Sequence, residues 1–556
     1  MAMTDGTAKA QQGGAFAPLR EKTFRTIWTA SLFSNFGQLI LGVGAAWEMT
    51  RLTSSASMVA LVQTALMLPI MLTSVPAGAV ADMFDRRKIA MAGLGFSIIC
   101  ATLLTSLAIF ELTGPWVILA FCTLIGAGVA LYSPAWQASI SEQVSEENLP
   151  AAVALGTISY NVARSFGPAL GGLVVLAAGA KAAFGINAVF YLPLFIAFFF
   201  WKRQHVPSRL PPERIDRAIV SGMRYAFHSA SIRTVLTRAF LFGLAGATAS
   251  ALAPLIAKNL LHGDASTYGI LLGASGVGAV IGALLVSDIR ERLSDEVAIK
   301  LLSLICGLSL AAVGFSSSLI VTCIALMVAG GTNILIIALY NISVQLSAPR
   351  WVTARALSLY SSALTGGIAI GSGVWGAVAN SYTIEVAMWA SGAFMLTMPL
   401  WAKWLPLPHN SDERNELVEL AHEPEVALGI TMRSGPIVIE VDYQVDPDKA
   451  RDFYEAMRKV QRVRQRNGGF DWSLSRDIAD PGLWTEHYHC PTWGDYLRMR
   501  ARYTETDMEL QAEADAFHTA IGRPRIRRKL ERPFGSVRWR AESPDPHQKT
   551  VGFIMP

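Results

Sequence analysis

The sequence predicts an all-α polytopic membrane protein with twelve transmembrane helices in two six-helix bundles, followed by an α+β, ferredoxin-like domain. Three observations predict it. Charge is unevenly spread: residues 1–408 hold 25 Lys/Arg and 17 Asp/Glu, about a tenth of that stretch, whereas residues 409–556 hold 22 and 25, about a third. Soluble chains carry roughly a quarter charged residues, so the first part is composed for lipid and the second for water. Apolar runs of about 20 residues, the length a ~30 Å hydrocarbon core demands, recur twelve times. Finally, the basic residues between those runs fall on alternate loops. This pattern excludes a purely cytosolic enzyme, a secreted disulfide scaffold and a disordered chain. The net charge of +5 sums a basic front and an acidic tail and does not indicate nucleic acid. Five cysteines without a CxxC spacing suggest neither a zinc site nor a disulfide framework. The first 18 residues lack the apolar core of a cleavable signal.

In order, the spans are read at 24–47, 57–81, 89–110, 116–138, 151–178, 183–201, 235–257, 267–287, 298–316, 319–343, 355–379 and 384–404. They divide the chain into a flexible N-terminus (1–20), an N-terminal bundle (21–203), a middle loop (204–232), a C-terminal bundle (233–405), a linker (406–434), the ferredoxin-like domain (435–535) and a C-terminal tail (536–556). With the N-terminus inside, the inside loops carry 19 basic residues, Arg233 and Arg238 being counted with the middle loop, and the outside loops three, Arg51, Lys181 and Lys258. Such asymmetry places both termini in the cytoplasm. Within the middle loop, Pro211-Pro212 before Glu213-Arg214-Ile215-Asp216-Arg217 predicts a helix start along the membrane surface. Leu149-Pro150-Ala151-Ala152-Val153, opening the fifth span, is weakly echoed by Val352-Thr353-Ala354-Arg355-Ala356, opening the eleventh. Two repeated bundles around a central cavity make the architecture of an alternating-access carrier.

Two motifs carry more specific information. The loop after the second span reads Gly78-Ala79-Val80-Ala81-Asp82-Met83-Phe84-Asp85-Arg86-Arg87-Lys88. It closely resembles the glycine–aspartate–basic loop between the second and third helices of the major facilitator superfamily. That resemblance implies a conformational latch made of Gly78, Asp82, Asp85, Arg86 and Arg87. Gly78 permits close approach, Asp82 accepts from the positive end of a facing helix, and the two arginines pair with it or with lipid phosphate. A short polar loop obeying the positive-inside rule explains the basic residues but not the Gly–Asp spacing. A degraded copy runs from Gly282 to Arg292. In the fifth span, Arg164 precedes Gly167-Pro168-Ala169-Leu170-Gly171-Gly172, which resembles the GPxxGG motif of superfamily members that export by antiport. The alternative is a Pro/Gly bend without directional meaning.

Arg164 is a charge within a span, costly to insert and a functional hypothesis by default; its expected place faces the cavity, binding an anionic group or gating. Asn35, Gln38, Gln63, Asn161, Asn333 and Tyr340 are further candidates for the substrate cavity, although each alone is more often a helix–helix hydrogen bond. Membrane acids sit near span ends: Glu48, Glu111, Asp288 and Glu385. Glu48 and Asp82 are the proton-coupling candidates, the alternative for Glu48 being an exposed pair with Arg51. The arginine that the superfamily often carries in its fourth helix is absent, Cys122 standing four residues before Gly126. No GxxxxGK[ST] phosphate loop is present, which argues against nucleotide drive.

The charged tail begins with an acidic linker. Ile437 to Gln444 alternates as a half-buried strand. A helix is expected from about Lys449 to Arg466, then strands at Asp471–Arg476 and Trp484–His489, a helix from Asp495 to about Ile521, and a strand near Arg525–Arg532. This βαββαβ order is ferredoxin-like, and the domain resembles the dimeric α/β barrel of antibiotic-biosynthesis monooxygenases. His487 and His489 share a strand face, with His518 the only distant third ligand, so no metal site is assigned. The run Arg523, Arg525, Arg527, Arg528 and Lys529 is read as a strand edge or a contact for anionic lipid.

As a whole, the chain resembles the transmembrane secretion effector branch of the major facilitator superfamily, to which enterobactin exporters belong. The resemblance implies a carrier rather than an enzyme, without cofactor, exporting a small hydrophobic or siderophore-like molecule by proton antiport. Its partners would be that substrate, protons, the lipid bilayer and a second copy through the tail. An uptake permease and a membrane-anchored oxygenase are the alternatives.

Overall fold

A computed structural model describes residues 16–83, 85–145, 148–202, 223–225, 227–348, 353–407 and 426–531. The chain forms two compact units. The first comprises Met1–Ile215, Thr234–Ser343 and Leu357–Leu407; the second comprises Asp216–Arg233, Val344–Ala356 and Pro408–Pro556.

Helices build the first unit: α1 (Lys22–Leu52), α2 (Ala56–Met83), α3 (Arg86–Ile109), α4 (Pro115–Ser139), α5 (Leu149–Phe200), α6 (Ala230–Leu255), α7 (Ala265–Leu284), α8 (Val286–Arg292), α9 (Asp295–Phe315), α10 (Leu319–Ser347), α11 (Thr353–Ser381), α12 (Ile384–Leu396) and α13 (Met398–Trp401). Local chemistry sets their ends. Asp85 caps α3 by accepting from the Arg87 backbone N–H, Pro115 starts α4 after Gly114, Asp264 caps α7, and Thr383 caps α12. Among the described residues nine helices are long and apolar enough to cross a membrane. One of them, α5, is two spans long and breaks at Gly179, whose φ of 76° and ψ of 175° suit a residue without a Cβ. With α1 and the α12–α13 pair, the expected twelve spans are accounted for. Ile99, Leu103, Leu173, Leu284, Leu308 and Ile320 are more than half exposed on helix faces, as side chains bathed in lipid would be.

The two halves pack alike. In the first, α1 lies on both stretches of α5, α2 on α4, and α3 on α4 and the second stretch of α5. In the second, α6 lies on α11 and α12, α7 on α10, and α9 on α12. Counted as spans, pairs 1–5, 1–6, 2–4 and 3–6 recur as 7–11, 7–12, 8–10 and 9–12. Even an indole bond recurs between matching pairs: Trp28 Nε1 donates to the Leu155 carbonyl at 2.7 Å, and Trp375 Nε1 to the Leu244 carbonyl at 2.7 Å. Backbones approach closely at small residues: a Cβ on Gly278 would overlap the Met327 carbonyl.

The second unit contains a four-stranded antiparallel sheet in the order β2-β3-β1-β4, with β1 Ile437–Gln444, β2 Phe470–Arg476, β3 Leu483–Cys490 and β4 Arg525–Leu530. One face is covered by α14 (Ala450–Asn467), α15 (Trp493–Ala501) and α16 (Glu505–Asp515). The single long helix expected over 495–521 is therefore corrected to two. Thr504 interrupts it because its side chain and that of Asp507 form a capping box that starts α16. Inside, Glu486 is fully buried and accepts from Arg464 Nε at 3.0 Å, Arg464 Nη2 at 3.2 Å and Trp472 Nε1 at 2.9 Å. Arg464 also donates to Gln511 Oε1 at 2.6 Å and to the Tyr503 hydroxyl at 2.5 Å. Burial opposes the Arg464 charge, but Glu486 together with the Tyr503 and Tyr488 hydroxyls holds the guanidinium pKa well above its usual value.

Removing one member of such a pair strands a buried charge, at about 3–5 kcal/mol. Glu486→Gln and Arg464→Met should each destabilise the tail domain by that order, and the Arg464→Met/Glu486→Leu double variant by markedly less. Denaturant titration of the full chain, read by hydrogen exchange of the β1 and β3 amides, checks this.

Candidate functional site

The halves of the first unit meet along two pairs of helices that exchange under the repeat. On α2 and α11, Ser57 Oγ donates to the Gly376 carbonyl at 3.2 Å, Thr64 Oγ1 to the Ala369 carbonyl at 2.7 Å, and Ser362 Oγ to the Met71 carbonyl at 3.2 Å. On α5 and α7, Gly172 faces Gly269 so closely that a Cβ on either would press on the other's backbone. At the same end, Trp47 stacks on Tyr268 with ring centroids 5.8 Å apart, and Lys258 Nζ donates to the Thr50 carbonyl at 2.6 Å. Thr50 lies in the last turn of α1, where unpaired carbonyls and the helix dipole favour a cation. Lys258 itself sits in a π-helical turn, Ile256–Leu260. Together these contacts seal the halves at the end where α1 stops and α2 and α7 start.

The helix-five motif is used both within the first half and at this seam. Gly167 and Gly171 receive Leu39 and Val43 of α1, and Gly172 receives α7. At Pro168 the helix continues, and the break at Gly179 is the gap between the fifth and sixth spans. Arg164 is half-buried on α5 and within electrostatic reach of the Tyr360 phenol on α11, which puts its charge between the halves. Tyr360 donates to the Ile337 carbonyl at 2.8 Å.

Of the other candidates, Asn35 makes a helix–helix bond, its Nδ2 donating to Ser159 Oγ at 3.3 Å. Gln38 and Gln63 are half-buried. Asn333 sits beside Gly246 of α6, its Oδ1 buried without a hydrogen-bond partner among the described residues. The Asn161 side chain lies outside the described residues. Tyr340, 1% exposed, is enclosed within the second half instead of a cavity, since the Arg238 guanidinium lies 5.8 Å from its ring centroid and Phe242 packs edge-on.

Of the latch, α2 reaches Met83, so Gly78 and Asp82 occupy its last turns, and their side chains lie outside the described residues. Asp85 is the α3 cap. Arg86 donates to the Ala138 carbonyl at 2.7 Å and to Glu142 at 3.0 Å, while Arg87 donates to the Phe199 carbonyl. These arginines thus secure the carboxyl ends of α4 and α5 within the first half. Glu48 is 14% exposed and pairs with Arg51 at 3.1 Å.

Sequence reasoning missed a buried ion pair. Arg238, counted above among middle-loop residues, lies in α6 at 2% exposure. It donates to Glu296 Oε2 at 2.7 Å and to the Leu405 carbonyl at 3.3 Å, and Glu296 accepts from the Leu407 N–H at 3.0 Å. The pair ties the starts of α6 and α9 to the chain leaving α13. The only signal was two opposite charges near the starts of two apolar runs. Asn187 was missed as well; it is fully buried, with neither amide atom bonded among the described residues.

In the tail, His487 and His489 do share the open sheet face, their rings 4.8 Å apart, with Phe470 5.5 Å from His489. His518 instead accepts from the Gln444 N–H at 3.0 Å. Gln444 is six residues along β1 from Val438, the partner of His489, or roughly 20 Å at ~3.4 Å per residue. Among the described residues no group of three metal-ligating side chains converges. Burial and the nearby Asp495 carboxylate push the Cys490 thiol up to about 12, which keeps it an inert core group.

Residues 13–534 match the family model described as transmembrane secretion effector. The chain is 24% identical over 389 residues to an enterobactin exporter of Escherichia coli, covering 67% of this chain and 89% of that protein. It is 24% identical over 308 residues to a staphyloferrin A transporter of Staphylococcus aureus, covering 54% and 77%. Among solved structures it is similar to the nucleoside transporter NupG, with a TM-score of 0.53, 11% identity and coverage of 69% of this chain and 98% of that one. A bacterial homologue of the human lysosomal transporter Spinster, inward-facing and unoccupied, gives a TM-score of 0.54 at 13% identity over 70% and 95%. These two likenesses concern the fold.

Glu296→Gln leaves the Arg238 guanidinium buried without its counter-ion, a loss of about 3–5 kcal/mol. Thermal unfolding of the purified full chain should show a clear drop in Tm, larger than for the exposed-pair variant Arg51→Gln.

Proposed function

Since the chain belongs to the transmembrane secretion effector family of the major facilitator superfamily, we propose that it exports a small hydrophobic or siderophore-like molecule across the bacterial inner membrane by proton antiport. Relatives named for enterobactin export and staphyloferrin A transport support the substrate class. The single structural observation that carries the reading is Arg164, a charge held on α5 within reach of Tyr360 on α11. A guanidinium between two bundles offers paired N–H donors to an anionic oxygen ligand, and siderophores as a class present such oxygens.

With both termini inside, the Trp47–Tyr268 stack, the Lys258–Thr50 bond and the Gly172–Gly269 contact form a periplasmic gate, and this is the arrangement that admits substrate from the cytoplasm. Rocking opens that seam and closes the opposite one, where Asp82 acts as the latch with the Gly78 turn and the Asp85–Arg87 corner beside it. Glu48 at the gate and Asp82 at the latch are the carboxylates read as exchanging protons with the two sides. A second copy docks through the open face of the tail sheet, where Glu440 lies 2.7 Å from Lys529 and 3.4 Å from Arg527.

Inside-out vesicles test direction. An imposed interior-acid gradient should drive accumulation of an added siderophore; downhill entry that ignores the gradient would favour the facilitator reading instead. A hydrogen bond to a charged group contributes about 1.5–3 kcal/mol, so Arg164→Ala should cut uptake into such vesicles by about 10- to 100-fold, with Arg164→Lys between. Lys258→Ala, removing a charged contact of the same class, should favour the opened gate by about tenfold. A cysteine introduced at Val43, 4% exposed behind the gate, should then react correspondingly faster with a periplasmic thiol reagent.

A further inference from the structure

Tyr225 is 2% exposed although it belongs to the loop that joins the two halves. Its cover comes from the second unit itself. The Arg466 guanidinium lies 5.5 Å from the Tyr225 ring centroid, a cation–π placement. Beside it, Arg224 Nη1 donates to the Gly468 carbonyl at 3.2 Å. Gly468 is the left-handed cap of α14, with φ 118°, so Arg224 meets the carbonyl-rich, negative end of that helix. The docking patch is firmly built. Arg466 also pairs with Asp507, which is 3% exposed, and Asn467 Nδ2 donates to the same carboxylate at 3.2 Å. The docked residues are continuous with α6: Ser229 N–H donates to the Tyr225 carbonyl at 2.9 Å, and Arg233 N–H to the Ser229 carbonyl at 3.0 Å. Val344–Ala356, the connection from α10 to α11, falls in this unit too.

We propose that the tail domain is a clamp on the loop joining the two bundles. Its partner is a segment of this same chain, residues 223–229, recognised by an aromatic ring under Arg466 and a guanidinium on the end of α14. Because that segment runs straight into α6, the clamp holds the entry of the second bundle, and releasing it changes the balance between the two states of the carrier. Only this last step rests on the alternating-access reading.

The test uses the purified full chain. Arg466→Ala would leave the buried Asp507 unpaired and unfold part of the tail, so the variant of choice is Arg224→Ala/Tyr225→Ala, which changes the loop side alone. Hydrogen exchange over residues 223–229 should rise by about tenfold or more, as for a segment released from a docked state, while the β1 and β3 amides stay protected. The labelling rate of the Val43→Cys reporter should change severalfold in the same variant. Unchanged exchange over 223–229 overturns the docking. Raised exchange with an unchanged labelling rate overturns the clamp. Neither readout needs a substrate, so failure of the export reading would show separately, in the vesicle assay.

Discussion

A peptide group left unpaired in hydrocarbon costs several kcal/mol, and that penalty governs everything in the first unit. It makes the chain helical across each span. It also leaves side chains little to do between helices except pack, because lipid is as apolar as leucine. Association therefore depends on backbones coming close, and small residues allow that. Gly278 against Met327 within the second half and Gly172 against Gly269 between halves are the same device used for two purposes. Within a half the glycine contacts come with large apolar interfaces. Between halves they are bordered by a few serine and threonine bonds to carbonyls, which are readily exchanged. A seam made of backbone contacts and single hydrogen bonds is weak enough to open, and a carrier needs that.

The repeat reaches further than the sequence suggested. A weak echo at the starts of the fifth and eleventh spans and a degraded second copy of the glycine–aspartate loop were the traces in the residues, yet the pairing of helices repeats in four matched contacts. Packing geometry tolerates changes of residue as long as size is kept, so architecture outlasts sequence likeness. The same tolerance explains which elements were legible. Twelve apolar runs fix twelve spans because hydrocarbon thickness sets their length, and β1 was read to the residue because its alternation reports one buried face. The break at Gly179 was placed only as a gap between runs, since one left-handed glycine leaves no pattern around it.

The site was less legible, for a physical reason. Polar residues in spans announce that they are costly, not what repays the cost. Arg164 ended between the halves, Asn35 on Ser159, and Tyr340 against Arg238, which had been counted with a loop. Only the tertiary fold decides among these, because partners such as Arg238 and Glu296 are 58 residues apart. Asp85, Arg86 and Arg87 look in sequence like parts of one latch. In the structure they secure three helix ends. A run that reads as one latch thus fixes the ends of three helices around the loop where the switching proposed for Asp82 would take place.

The tail shows how polar groups can build the core of a small domain. In a ferredoxin-like layer the space between sheet and helices either holds a ligand or is filled. Here Arg464, Glu486, Trp472, Tyr503 and Gln511 fill it with a closed hydrogen-bond network. The network pairs its own charges. Burial raises the Tyr503 hydroxyl to about 12, Arg464 offsetting only part of that shift, so the phenol serves as a neutral partner of the guanidinium. What such a core does supply is a rigid body, and a rigid body is what a grip on Arg224 and Tyr225 requires. The ion pair inside the domain and the aromatic contact on its surface are joined through α14, which carries Arg464 and Arg466 two residues apart on different faces: one arginine holds the domain together, and the other holds the loop.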